Sequence, residues 1–370
     1  MSFSFEKEQA VIIITSDEAW SEVWHTQLHY AWNLSLRCMV YYVGPPEKWK
    51  FANLFFWRVP VRKENNNLFI VTYHTVFPVK LLNGFFVRFN DAINSFLLKK
   101  KIPKNKTNIL LWRFTYFRFI VHPFIHPSRS VYHVVDQYMG KKNDRFLAEK
   151  SDLVISTSPK FMDHYKKYNP HVINIPQAVS KEEFVCDESV VNKIKNEYGK
   201  IILFIGTLSP DISFDIFEKV SENFTRHNIL MIGPEKFSDH SERNQFENIL
   251  NKANVKYIGV KPAAQLKNYV KASEVCIIPY KSGSEKKMSI RSPLKAINYI
   301  AQKKIVVSTI DCEIKELENK IIYNAGNHEE FIFLIQKAID KELIVDEKAV
   351  NEFLGKISYD KLIDFIFSRL

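Results

Sequence analysis

Residues 275–309 constrain the fold more than any other stretch of this chain. Val275, Cys276, Ile277 and Ile278 form a short apolar run that stops at Pro279, and such a run reads as a parallel strand buried on both faces. Residues 281–291 follow as a polar loop with four Lys and Arg against one Glu. Ser292-Pro293 reads as a helix start, because Ser can satisfy free backbone N–H groups and Pro suits the first helical position. Leu294, Ile297, Ile300 and Ala301 then recur at helical spacing, and residues 305–308 read as the next strand. Strand, basic loop and capped helix together make an anion site. The helix N-terminus carries partial positive charge and free donors, and Arg291 and Lys295 add full charges beside it. The plainer reading of the same residues is a solvated basic loop on an ordinary α/β unit.

The same alternation runs along the whole chain. Strands are predicted at residues 11–15, 39–43, 57–61, 68–73, 108–112, 131–135, 153–156 and 172–175, with helices over 20–36, 83–98 and up to Glu149 between them. The pattern restarts at Ile201. Strands at 201–205, 229–232 and 255–258 each run into a glycine, at Gly206, Gly233 and Gly259, and helices over 214–223, 246–253 and 265–272 separate them. Strands alternating with helices imply a doubly wound parallel sheet, here built twice. The division predicted is residues 1–180, residues 181–350, and a last amphipathic segment, 351–370. That segment either crosses back to the first domain or lies on the second.

Several classes are excluded by what the chain lacks. Its 370 residues hold only 10 Gly, with no G-x-G-x-x-G and no G-x-x-x-x-G-K-[ST], which argues against a dinucleotide-binding enzyme or a P-loop NTPase. Cys38, Cys186, Cys276 and Cys312 are scattered, so neither a disulfide framework nor a zinc cluster follows, and a reducing compartment fits. No run of 18 apolar residues exists, and residues 11–14 are too short for the core of a signal peptide. The expected place is cytoplasmic.

Charge is unevenly spread. Residues 1–178 hold 24 Lys and Arg against 13 Asp and Glu, while residues 179–370 hold 28 of each. Lys99, Lys100 and Lys101 follow a Phe-rich helical stretch, and Arg113 and Arg118 interleave with Trp112, Phe114, Tyr116, Phe117 and Phe119. Basic and aromatic residues mixed in this way suit an anionic membrane surface, at the inner face of the cell membrane. No RNA-binding aromatic signature accompanies them, which ranks nucleic acid well below the membrane. A solvated basic face over core aromatics is the competing reading.

Taken together, these motifs resemble those of the GT-B glycosyltransferases that assemble bacterial surface polysaccharides, of the family 4-like and xanthan glucuronosyltransferase-like kind. In the second half, I-G-T-L at 205–208, L-M-I-G-P at 230–234, V-x-Y-I-G at 255–259 and I-I-P-Y at 277–280 appear in the family's order. They lead to the Ser292-Pro293-Leu294-Lys295 junction, which in that family holds the sugar nucleotide. In the first half, Tyr132-His133-Val134-Val135-Asp136 and the segment at 149–158 are similar to the family's strand ending in Asp and its E-x-x-A-D-x-V-x-x-S. Two departures stand out: the family's Glu is Asn298 here, with Ile290 eight residues earlier, and its N-G-V-D turn is replaced at 176–180.

The resemblance implies two Rossmann-like domains facing a cleft, a nucleotide-sugar donor (a UDP-sugar first), a lipid-linked or glycan acceptor, and no metal. It assigns Gly206, Leu208, Tyr280, Arg291, Ser292, Leu294, Lys295 and Asn298 to the donor, with Tyr280 packing on the base. A helix N-terminus with cations can stabilise a departing diphosphate without a metal ion. The first choice of base is Asp136, which ends an apolar strand where α/β sheets place their ligands. Asp17, after the first strand, is the second; His25 and His133 are weaker candidates. The missing acid pair points to inversion, with a retaining enzyme as the alternative. A binding module for lipid or RNA on a degraded scaffold and a GT-B-fold sugar-nucleotide epimerase also remain.

Overall fold

The computed structural model describes residues 10–55, 57–78, 84–237, 240–281 and 293–370. It divides into two compact units: residues 1–176 with 359–370, and residues 177–358. Each is built around its own, mostly parallel, sheet.

The first unit begins with β1 (Ala10–Thr15), an unbroken apolar run whose residues are all buried. A strand that is apolar on both faces can sit only in the middle of a covered sheet. It pairs in parallel with β2 (Met39–Val43) on one side and β5 (Asn108–Arg113) on the other. The eight-stranded order is β3-β4-β2-β1-β5-β6-β7-β8, with β3 (Val61–Lys63), β4 (Leu68–Val71), β6 (Arg129–Val134), β7 (Leu153–Ser156) and β8 (Val172–Asn174). Only β3 is antiparallel, at the edge against β4. It lies later than the strand predicted at 57–61.

The helices here are α1 (Thr26–Ser35), α2 (Gly84–Lys99), α3 (Asp144–Lys150) and α4 (Pro159–Tyr165). Helix α1 starts six residues after the predicted position. Trp20 packs on Tyr42, at 5.4 Å between centroids, and Trp24 packs on His29 and Trp32, so residues 20–25 are spent on covering the helix. The sequence reading passed over α4, whose cap Ser158 accepts from the Lys160 N–H and is followed by Pro at the first position.

The second unit has the six-stranded order β11-β10-β9-β12-β13-β14, all parallel. Its strands are β9 (Ile201–Ile205), β10 (Asn228–Ile232), β11 (Val255–Tyr257), β12 (Val275–Ile278), β13 (Val306–Ser308) and β14 (Ile322–Asn324). Helices α5 (Glu188–Tyr198), α6 (Phe214–Asn223), α7 (His240–Leu250), α8 (Ala263–Ala272), α9 (Leu294–Ala301), α10 (His328–Ile339) and α11 (Glu347–Lys356) accompany them. Neither α5 nor α11 was foreseen, although each carries a capping Asp: Asp187 accepts from the N–H groups of Ser189 and Val190, and Asp346 from that of Ala349.

The last helix, α12 (Tyr359–Phe367), belongs to the first unit. Tyr359 stacks on His29 and meets Tyr30 edge-on, and Arg37 bonds Asp364 and Asp360. Among the described residues no helix is long and apolar enough to cross a membrane.

Candidate functional site

Both sheets reverse direction of winding beside their first strand, and ligands of open α/β sheets gather at the carboxyl ends of the strands flanking that reversal. In the second unit these strands are β9 and β12. Gly206, directly after β9, has φ +150°, and a Cβ there would lie 2.4 Å from the Lys295 Nζ. Gly233, directly after β10, has φ +145°, and its Cβ would lie 2.1 Å from the Gly206 carbonyl oxygen. Side chains are therefore excluded from both turns, and the backbone comes to the surface of the site. The turns are tied across the sheet: Gly206 N–H donates to the Ile232 carbonyl (2.9 Å) and Gly233 N–H to that of Gly259 (3.0 Å).

Lys295 stands over this backbone. It occupies the first turn of α9, whose opposite face is buried through Ala296, Ile297, Tyr299 and Ile300. The Tyr299 hydroxyl accepts from the Ile205 N–H at 2.8 Å, which pins the helix to the end of β9. The Lys295 Nζ donates to the Tyr280 hydroxyl at 3.1 Å and lies 4.6 Å from the Phe204 ring centroid and 4.9 Å from that of Tyr280. An ammonium held by ring faces and a hydroxyl, beside side-chain-free backbone, is arranged to receive an anion.

In the first unit the corresponding strands are β1 and β5. Asp17 lies two residues beyond β1 and is half-buried, and its Oδ1 is fully enclosed with no hydrogen-bond partner. Burial pushes its carboxyl above the ordinary value, helped by the charge of Glu18; a backbone hydrogen bond, the Arg118 guanidinium and the neighbouring His25 oppose this. Arg118 is half-buried too, with its Nη1 enclosed and unpartnered. Asp136 is exposed, two residues beyond β6. Both carboxylates act electrostatically on buried Tyr138, whose hydroxyl donates to the Phe114 carbonyl at 3.1 Å. Among the described residues no group of three or more His, Cys, Asp or Glu is placed to hold a metal ion.

No protein-family model and no curated protein matches the chain. Solved structures do match. Anabaena HepE in complex with UDP and glucose superimposes with a TM-score of 0.70 at 14% identity, covering 98% of this chain and 100% of that one. An α,α-trehalose-phosphate synthase (UDP-forming) from Burkholderia vietnamiensis does so with a TM-score of 0.68 at 13% identity, covering 96% of each. WaaG, a glycosyltransferase involved in lipopolysaccharide biosynthesis, gives 0.58 at 9% identity, covering 94% of this chain and 95% of that one. The fold is GT-B.

On the GT-B frame the predicted site residues divide. Gly206 and Lys295 meet, and Asn298 and Leu294 lie half-buried on the same turn of α9 as Lys295. Arg291 and Ser292, with Ile290, lie outside the described residues. Helix α9 starts one residue late, with Pro293 in the cap position rather than inside the helix. Leu208 does not belong to the site: its side chain is buried, its N–H donates to the Pro234 carbonyl and its carbonyl accepts from Lys236. Tyr280 is buried beneath the Lys295 ammonium, so its ring holds that cation and is not open for packing on a base.

Arg113 also needs correction. It is buried in β5 with its Nη2 2.6 Å from the His122 Nε2, and burial pulls its pKa down to about 10. A guanidinium so enclosed cannot face a membrane, and Phe114 and Phe119 beside it are core residues. Lys99, Lys100 and Lys101 are exposed. His133 is buried among Tyr30, Trp112 and Phe114 with its pKa pushed down to about 3, which makes it structural. Phe204, Gly233 and Tyr299, which are not among the residues expected from sequence, also surround Gly206 and Lys295. The one signal the sequence contained was a glycine closing each of three successive strands.

Proposed function

We propose that this protein transfers a sugar from a nucleotide-sugar, a UDP-sugar in the first instance, to an acceptor carried at the inner face of the cell membrane, with inversion and without a metal ion. The observation that carries the reading is the Lys295 ammonium poised over the glycine turns of β9 and β10. HepE and trehalose-phosphate synthase, which share the fold, are described with UDP or as UDP-forming, and WaaG as acting in lipopolysaccharide biosynthesis.

In this reading the donor's diphosphate lies against the Gly206 and Gly233 backbone and the Lys295 ammonium, with Asn298 bonding the donor. Fixed donors of this kind offset the charge that develops on a leaving phosphate. The acceptor hydroxyl attacks the anomeric carbon, the bond from that carbon to the phosphate oxygen breaks with its electron pair leaving on the nucleoside diphosphate, and the hydroxyl proton passes to a carboxylate. Asp17 is the better base of the two named from sequence. It follows the central strand at the reversal point, has an enclosed oxygen without a partner, and has a raised pKa, which brings a general base closer to working pH. Asp136, exposed two strands further out, is the alternative.

A panel of UDP-, GDP-, TDP- and CMP-sugars tests this. UDP and one UDP-sugar should raise the unfolding midpoint, turnover should survive EDTA, and NMR should show inversion at the anomeric carbon. Nucleotide binding without turnover on any lipid-linked acceptor would leave a binding module, and a retained configuration would end the inverting assignment.

A further inference from the structure

Helix α2 buries a set of polar residues beside Leu98 and leaves phenylalanines outside. Residues Asn90, Asp91, Asn94 and Ser95 face the protein and are buried, while Phe85 (70% exposed), Phe89 (38%) and Phe96 (41%) face outward. These three, with exposed Arg88, Lys99 and Lys100, recur at spacings of three, four and seven and form one stripe. A surface helix normally does the opposite. Two of these buried side chains are tied to the rest of the fold: Asn90 exchanges two 3.0 Å bonds with the Phe77 backbone, and Asp91 Oδ2 accepts from the N–H groups of Ile120 and Val121. The orientation of the helix is thus fixed by the fold, and the aromatic stripe is left outside.

A second apolar projection adjoins it. Phe51 and Phe55 are each 70% exposed and in ring contact, and Trp57 is 48% exposed. This turn is moored by Trp49, whose Nε1 donates to the Val76 carbonyl (2.9 Å), and by Asn53, bonded to the Thr75 carbonyl. The next residue, Phe77, meets Phe86 and Phe89 of α2 at 4.7 and 5.6 Å. Residues 75–77 therefore join the two projections into one surface. Exposed apolar area of this extent marks an interaction site.

We infer that this surface, the outer stripe of α2 with Phe51, Phe55 and Trp57, inserts these aromatic side chains into an anionic lipid bilayer. Charge selects the occupant. Residues 84–106 carry Arg88, Lys99, Lys100, Lys101, Lys104 and Lys106 against a single acid, Asp91, which is buried. Lys48, Lys50 and Arg58 are exposed around the 51–57 turn, where the nearby acid Glu47 pairs with His74. The Lys100 ammonium sits 4.2 Å over the Phe96 ring, which places charge and apolar face side by side as an interface requires. A second copy of the chain fits poorly, since a two-fold pairing would bring the same cations against each other. The inference deepens the reading of a membrane-borne acceptor, yet it is measured without donor or acceptor.

Full-length protein is sedimented with phosphatidylcholine vesicles, with and without phosphatidylglycerol, at low and high salt. The parent should bind only the anionic vesicles. Replacing Phe85, Phe89 and Phe96 together by Ser should weaken binding roughly 100-fold, and replacing Lys99, Lys100 and Lys101 by Glu should do so about as strongly at low salt. Both variants should keep the parent's unfolding midpoint and UDP affinity. If the phenylalanine variant does not fold, the exposed-lysine variant decides alone. Parent-like binding by a folded variant, equal binding to neutral vesicles, or a solution dimer that the Ser variant breaks would each overturn the inference. Failure to bind UDP would instead strike at the proposed function.

Discussion

Two sheets in this molecule share a winding scheme, in which the first strand lies centrally and the later strands are added outward on the other side, yet their reversal points carry opposite chemistry. Beside β9 the chain withdraws its side chains: Gly206 and Gly233 expose backbone, and the Lys295 ammonium stands over it. Beside β1 the chain does the reverse, sending Asp17 and Arg118 inward until each has an enclosed atom without a partner. One arrangement sets a cation over bare backbone, and the other holds a carboxylate that resists ionising. Topology decides where a site can be, while the first residues past each strand decide what it can do.

The largest test of this contrast is steric. Gly233→Ala would drive a Cβ into the Gly206 carbonyl, which is backbone and cannot move aside, so destabilisation of about 4 kcal/mol is expected, read by thermal unfolding. Gly206→Ala is strained by the same kind of backbone conformation, φ +150°, but meets only the tip of the flexible Lys295 side chain, so a smaller loss of stability is expected, together with weaker UDP binding. If the two variants are equally stable, the backbone contact does not matter.

Asp17→Asn is expected to cut turnover by about 10²–10⁴-fold while the dissociation constant for UDP stays unchanged. Asp136→Asn should keep most of the activity; a reversed outcome would move the base to β6. Lys295→Ala should weaken UDP binding roughly 10- to 100-fold, the value of a hydrogen bond to a charged group, as measured by calorimetry. Turnover should drop with it.

A gentler test uses pH. The Asp17 carboxyl is held above the ordinary value, so as pH falls through that raised value the base becomes protonated and kcat/KM declines. The acid limb should therefore lie at higher pH than an unperturbed aspartate would give. It should move in Arg118→Gln toward still higher pH, because the lost positive charge no longer favours the carboxylate. The smallest effect is expected of Tyr280→Phe, which removes only the acceptor of the Lys295 hydrogen bond: UDP affinity should change by about fivefold.

Much of the fold was legible because period and punctuation are local properties. The apolar runs at 11–15, 201–205 and 275–278 can only be central strands, and the glycine after β10, Gly233, marks where backbone approaches backbone. Lys295 was legible for the same reason, being one residue into a helix that follows a strand. Caps that read clearly afterwards, such as Asp187 and Asp346, were passed over because single polar residues are common in loops.

By itself, then, the sequence determined two doubly wound sheets, since strand burial, helical spacing and turn glycines are written in consecutive residues. Tertiary structure alone decided which charged groups are inside. Arg113 and Arg118 lie five residues apart in one basic-aromatic stretch, yet the first is sealed in β5 against His122, while the second is half-buried with its guanidinium over the Phe117 ring and its charge acting on Asp17. Helix α2 shows the same dependence. Its Phe residues look like a core stripe until Phe77, Ile120 and Val121 claim its asparagines and aspartate and turn the aromatics outward. Burial depends on what packs against a residue from elsewhere in the chain, and no window of neighbours contains that information.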